Sequence, residues 1–267
     1  MENGRNVTRL AALGDLHCTE ASHGVLQPLF SQIAESADVM VLCGDLTDHG
    51  LIAQAQTLGK ELSTAAHKIP TVAVLGNHDY ESGHAAEVRQ ILSDAGVNIL
   101  DGDACEVRGI GFAGVKGFGG GFGRGTLSAF GEPAVKAFVH ECIEESLKLE
   151  TALQRLRTPH RIAVLHYSPV RDTVDGEPCE IYPYLGCSRL EEPLNRFQVT
   201  AALHGHAHRG AAEGKTAAGV PVYNVALPVM RTNYPGKPPF RLLTLPAVAP
   251  TAPLATSDEK PVETKVQ

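Results

Sequence analysis

Residues 71–81 read TVAVLGNHDYE: five residues suited to a buried strand run into Gly76-Asn77-His78-Asp79. An amide, an imidazole and a carboxylate follow one another where a core strand should turn away. Such a stretch reads as a strand that delivers chemistry at its carboxyl end. Four other short apolar runs close in the same manner: RLAALGDLH (9–17), DVMVLCGDLTD (38–48), RIAVLHYSP (161–169) and VTAALHGHAH (199–208). Apolar runs bounded by turn residues predict strands buried on both faces.

Between the first two runs, Leu26, Leu29, Phe30 and Ile33 recur at helical spacing, and residues 51–67 between the second and third are also helix-like. Strand alternating with helix predicts βαβ crossovers, an α/β fold and a largely parallel central sheet. Residues 97–115 predict short strands around the tight turn Asp101-Gly102. The stretch GFGGGFGRG (117–125) is too rich in glycine for a regular element. Pro133 opens a long helix to about Leu156, with Val135, Phe138, Val139, Cys142, Ile143, Leu147, Leu153 and Leu156 on or near one stripe. Two strands, VPVYNVAL (220–227) and FRLLTL (240–245), complete a domain predicted over residues 1–245. Residues 246–267, rich in Pro, Ala, Thr and charge, read as a disordered tail.

A chain of 267 residues, 43% of them hydrophobic, can bury the core of one large α/β domain. Its net charge of −7 weighs against a nucleic-acid backbone as the main partner. No apolar run approaches the ~20 residues that span a bilayer, and the first residues lack the pattern of a signal peptide. Cytoplasmic residence is the expectation. The six cysteines are scattered without a CxxC pair, so reduced thiols are expected rather than a disulfide framework or a zinc finger.

The five strand ends carry Asp15 and His17; Asp45; Asn77 and His78; His166; and His206 and His208. Alternation along an extended segment would put Asp15 and His17 on one side, and likewise His206 and His208. Mixed oxygen and nitrogen donors without thiolate suit Mn²⁺, Fe or Zn²⁺ better than Ca²⁺ or Mg²⁺. Asp15, His17, Asp45, Asn77, His166, His206 and His208 exceed one ion's usual share of protein ligands, whereas two ions can share one carboxylate. Two ions ~3.5–4 Å apart can hold a phosphate and activate a water for in-line attack.

In order, GDLH, GDLTD, GNHD, LHYSP and HGHAH resemble the signatures of the calcineurin-like metallophosphoesterases, over residues 14–208. The layout looks like that of the compact bacterial-type members. The resemblance implies a four-layer α-β-β-α sandwich with a dinuclear metal site at the strand C-terminal ends. One ion would take Asp15, His17, Asp45 and His208; the other Asp45, Asn77, His166 and His206. A hydroxide held by the metals would attack phosphorus, His78 would protonate the leaving oxygen, and the Asp48 carboxylate would orient His78. The protein Ser/Thr phosphatase branch has an Arg where this chain has His49, which speaks against phosphoprotein substrates. The substrate implied is a small-molecule phosphate ester, with a lean to a phosphodiester. A phosphomonoesterase, or a non-catalytic scaffold on the same fold, is the alternative.

Each assignment has a plainer rival. His78-Asp79 alone could be the metal-binding pair of an all-helical phosphohydrolase, but the β-branched run before it argues otherwise. His166 alone would be a hydrogen-bonded core histidine. His204 falls outside the motif and reads as buried structure or support behind the ligands. Asp79 reads as a supporting carboxylate or a turn and cap residue, and Cys18 and Cys43 as packing. Lys116 and Arg124 bracket the glycine-rich segment and could bind substrate phosphate if it folds over the metals, although a plain connector is favoured. Residues 181–187, IYPYLGC, are a second candidate rim.

Overall fold

The computed structural model describes residues 7–247. Of the predicted tail, residues 248–267 lie outside the described residues. Chain order runs β1 (Val7–Leu13), α1 (Gln27–Ser36), β2 (Val39–Cys43), α2 (Ile52–Ala66), β3 (Thr71–Val74), α3 (Asn77–Tyr80), α4 (Ala85–Asp94) and β4 (Val97–Ile99). It continues through β5 (Asp103–Val107), β6 (Ile110–Gly114), α5 (Pro133–Arg155), β7 (His160–Val164), α6 (Tyr182–Leu185) and α7 (Glu191–Arg196). The last elements are β8 (Ala201–His204), β9 (Glu213–Lys215), β10 (Pro221–Asn224), α8 (Leu227–Asn233) and β11 (Arg241–Pro246).

These strands form the two sheets of the expected sandwich, in the orders β11-β1-β2-β3-β4 and β5-β6-β7-β8-β10-β9. The pairings β1–β2, β2–β3 and β3–β4 are parallel, as are β6–β7, β7–β8 and β8–β10, while the outer strands β11, β5 and β9 run antiparallel. Burial on both faces explains the continuous apolar runs. On β2, Val39, Val41 and Cys43 pack toward the second sheet with Phe112, Ile162 and Val164, while Met40 and Leu42 pack with Phe30, Ile33 and Leu58 of the helices. A third cluster joins Ala113, Ala163 and Ala202 to Leu149 and Leu153 of α5. Three apolar layers between four layers of elements make the α-β-β-α sandwich.

Local differences have physical reasons. Asp101-Gly102 is not a hairpin turn; it carries the chain from β4 in one sheet to β5 in the other. The hairpin is β5–β6, whose turn residues Arg108 and Gly109 have φ of 53° and 76°, the two left-handed positions of a type I′ turn. On α5, Leu147 and Val135 face solvent, and Glu145 is buried instead, accepting the Gly117 N–H (2.7 Å) and the Lys148 ammonium (2.7 Å). The glycine-rich segment is pinned rather than free: Gly121 N–H donates to Gly186 O (2.9 Å) and Gly121 O accepts the Ser188 N–H (3.1 Å). Among the described residues no helix is long and apolar enough to cross a membrane, and all six cysteines are free.

Candidate metal centre

Parallel register brings the strand ends level. Leu13 pairs with Leu42, Leu42 with Ala73, and Val164 with Leu203, so the residues after them leave the sandwich side by side. Pairing continues into the loops: Asp15 N–H donates to Gly44 O (2.9 Å), His17 N–H to Asp45 O (3.0 Å) and Gly205 N–H to His166 O (3.1 Å). The extended alternation expected for Asp15–His17 and His206–His208 is not what aims these side chains. Asp15, His17, Asp45 and His206 have φ of 57°, 46°, 47° and 70°. Left-handed backbone costs about 1–2 kcal/mol per residue, and the loop hydrogen bonds and tight packing hold it. Gly76 belongs to that packing, since a Cβ there would overlap the Asp45 carboxylate and the His166 ring.

The seven predicted ligands converge in two groups. Asp15, His17 and His208 share one, with His208 Nε2 2.9 Å from Asp15 Oδ1; Asp45, His166 and His206 share the other. Asn77 joins the second through Oδ1, 2.8 Å from His166 Nε2. Asp45 lies between them, with Oδ2 3.9 Å from His17 Nε2 and Oδ1 3.3 Å from His166 Nε2. Asp15 and Asp45 are 2% and 1% exposed, so neither carboxylate is left to bulk water.

The donor set fits cations. His166 Nδ1 donates to Cys43 O (2.9 Å), which turns Nε2 toward two oxygens that are themselves acceptors. A proton or a cation must lie among them. Without an ion the proton is favoured: burial lowers the His166 pKa, but the Asp45 carboxylate outweighs burial and pushes it up to about 9. Burial would raise the Asp45 carboxyl, and the facing His166 instead holds it well below the usual carboxylate range. His17 Nε2 is buried with no hydrogen-bond partner. His206 Nε2 faces Tyr184 O at 3.0 Å, which leaves Nδ1 as the nitrogen that could ligate, and burial followed by His166 lowers its pKa to about 4.

Asp48 is placed differently from expectation. Its carboxylate lies within 4.8 Å of a His78 ring nitrogen without a hydrogen bond to it; its backbone carbonyl accepts from His78 Nδ1 (2.6 Å), leaving Nε2 to face Asp45 Oδ2 at 4.0 Å. The Asp48 carboxylate instead meets His17 Nδ1 and His49 Nε2, both at 3.2 Å. His49 and Glu81, which no spacing argument singled out, pair at 3.0 Å beside His78. Asp79 is fully buried and accepts from Leu46 N, Thr47 N, Thr47 Oγ1 and Gly76 N (2.6–3.1 Å), tying the Asp45 loop to the Asn77 loop. His204 bonds Gly205 O (2.8 Å) and Thr173 Oγ1 (2.7 Å) behind the ligands.

Of the two candidate lid cations, neither places its charged group on the seven predicted ligands, although the Lys116 carbonyl accepts the His166 N–H (3.0 Å). Lys116 is 9% exposed, bonds Gly117 O (2.8 Å) and lies near the rings of Tyr80, Phe118 and Tyr167. It borders the centre through Tyr167, whose ring packs on His206 with centroids 4.3 Å apart. Arg124 is exposed and lines a separate cleft. The rim segment 181–187 does reach the site, through the Tyr184 carbonyl.

A family model described as calcineurin-like phosphoesterase matches residues 8–210. No curated protein matches the chain. Among solved structures, the phosphopantetheinyl hydrolase of Mycobacterium tuberculosis superposes with a TM-score of 0.64 at 15% identity, over 95% of this chain and 98% of that one. GAP50 of Plasmodium, described as the anchor in the inner membrane complex, gives 0.52 at 12% identity over 85% and 73%. A putative 5′-nucleotidase from Staphylococcus aureus gives 0.50 at 15% identity over 82% of this chain and 48% of that one. At these identities the likeness concerns the fold.

Proposed function

The chain belongs to the calcineurin-like phosphoesterases, and from that premise we propose that it hydrolyses a small phosphodiester using two divalent ions, Mn, Fe or Zn. Asp15, His17, Asp45 and His208 hold one ion, and Asp45, Asn77, His166 and His206 the other, with Asp45 shared. The observation that carries this reading is the convergence of metal-competent atoms: buried His17 Nε2 has no hydrogen-bond partner, and His166 Nε2 faces Asn77 and Asp45 oxygens in an arrangement that needs a proton or a cation at its centre. When bound, the ions supply Lewis-acid binding of phosphoryl oxygens and a water acidic enough to serve as nucleophile near neutral pH.

The chain's own residues do the rest. His78 Nδ1–H is tied to the Asp48 carbonyl, so the second proton of the imidazolium sits on Nε2 and is given to the departing oxygen as the P–O bond breaks, leaving a neutral ring with Nδ1–H still on the carbonyl. Asp48 thus aims the acid through its main chain and fixes the His17 tautomer through its carboxylate, leaving His17 Nε2 free as a ligand. Asp79 keeps the two loops in register. The diester reading is supported by the compact layout, by the His166-Tyr167-Ser168-Pro169 block, and by charge beside the acid. Asp48 and Glu81 flank His78 where an Arg would grip a dianionic monoester, and their field favours the substrate with fewer charges. A phosphomonoesterase is the alternative. The likeness to GAP50 keeps a scaffold in view, and the complete ligand set counts against it.

Hydrolysis of bis-p-nitrophenyl phosphate and p-nitrophenyl phosphate, on chelated protein before and after Mn²⁺ is added, tests the proposal. Cleavage restored by metal, faster on the diester, is the expected result. Faster cleavage of the monoester would move the assignment to a phosphatase. Folded protein holding two ions and cleaving neither ester would favour the scaffold.

A further inference from the structure

Arg124 lines an open cleft of about 620 Å³ together with Phe122, Arg171, Ser188 and Lys215. Among the described residues no carboxylate lies within ion-pair distance of Arg124, Arg171 or Lys215; the Arg171 guanidinium lies over the Tyr182 ring, 5.7 Å from its centroid. The acids in the cleft are Asp172 and Glu191, and Glu191 is already engaged by the Ala217 N–H and the Asn195 amide. Three cations against two carboxylates leave a positive excess on a chain of net charge −7.

The remaining lining is compatible with an oxyanion. Ser188 Oγ accepts the Gly123 N–H (2.9 Å), and its own hydroxyl proton has no acceptor among the described residues. Nothing lies within 4 Å of a Cβ built on Gly123 or Gly125, so a ligand can approach the backbone closely. Two guanidinium forks suit a tetrahedral oxyanion better than a point charge would, and Phe122, partly exposed, offers a ring face to an apolar or planar part. Val174, Leu185 and Ala207 form a small apolar cluster with Phe122 and Tyr182. Ala207 stands between His206 and His208, so this cluster is the wall between cleft and metal centre.

We propose that this cleft is a second anion site, binding a phosphate group other than the one hydrolysed at the metals. Calorimetric titration of inorganic pyrophosphate into chelator-treated full-length protein tests it, because the ions that would hold phosphate at the first site are then gone. The expected result is saturable binding, weakened about tenfold or more in Arg124→Ser/Arg171→Ser/Lys215→Ser. A control variant, Lys60→Ser/Lys68→Ser, alters surface cations outside the cleft and is expected to bind like the wild type. No saturable binding by the wild type, equal binding by the triple variant, or equal loss in the control would overturn the proposal. Circular dichroism of each variant confirms that a lost signal is not lost fold. With metals restored, the difference between wild type and triple variant assigns the source. Pyrophosphate that raises KM alone marks a distal group of the substrate, and one that changes kcat marks a free effector. Either keeps the site. Failure here leaves the phosphoesterase reading untouched, since that is tested by metal-restored hydrolysis.

Discussion

At the scale of single residues, two histidines with opposite duties make the sharpest predictions. His78 has its Nδ1 fixed on a carbonyl and its Nε2 directed at the ion-binding side. His78→Ala should keep both ions, measured by elemental analysis, yet lose ~10²–10⁴-fold in turnover on a diester with an alkyl leaving group. The loss should be much smaller with p-nitrophenolate, which leaves without a proton. A wild-type rate on the alkyl ester would remove His78 from the acid role. His204 supports instead: burial lowers its pKa to about 4, so the folded state holds it neutral. A depressed histidine contributes stability that is full above the unfolded pKa of 6.5 and is lost as pH falls through 4. The contribution is about 3 kcal/mol. Denaturant unfolding of chelated protein between those pH values should therefore show a shallower acid slope in His204→Asn than in wild type.

At the scale of elements, the informative piece is the ladder of irregular backbone formed by residues 121, 168 and 185–187. Isolated bridges join Gly121 to Cys187 and Ser168 to Gly186, and this arrangement presents the Tyr184 carbonyl to His206. A Cβ at Gly186 would overlap the Ser168 carbonyl and crowd the Phe122 ring. Gly186→Ala should therefore lower Tm and, on the proposed ligand assignment, weaken binding of the ion that His206 would hold, read as reduced metal stoichiometry after mild chelation. Unchanged stoichiometry would show that the rim does not support the ligand. The same ladder explains why a glycine-rich stretch is ordered: its glycines permit close approach of three main chains rather than free motion.

At the scale of the whole molecule, two sheets must stay face to face for strands of both to end at one centre. Phe112 is fully buried in the layer between them, with Val41, Val74 and Ile162 in the same cluster. Phe112→Ala should cost ~3–5 kcal/mol in urea unfolding. If the sandwich unfolds as one unit, the midpoint will fall with the m-value unchanged; a reduced m-value would mean that the sheets separate first.

The sequence by itself determined the strands, the crossovers and the seven polar side chains that converge at the strand ends, because each depends on local patterns: an apolar run, a turn, a polar residue at the end. Main-chain geometry past the strands was not legible. Asp15, His17, Asp45 and His206 take left-handed backbone that no alternation rule anticipates, since hydrogen bonds between neighbouring loops impose it. The two sheets of the sandwich, implied by the family resemblance but not by strand–helix alternation alone, part company between β4 and β5 at Asp101-Gly102. Partners far apart in sequence were decided only by tertiary structure: the Asp48 carbonyl on His78 and its carboxylate on His17, Asp79 between two loops, Tyr184 on His206, Arg124 in its own cleft. The physical reason is range. Local patterning selects which residue types stand at a strand's end, whereas the packing of distant segments selects which atom of each meets which neighbour.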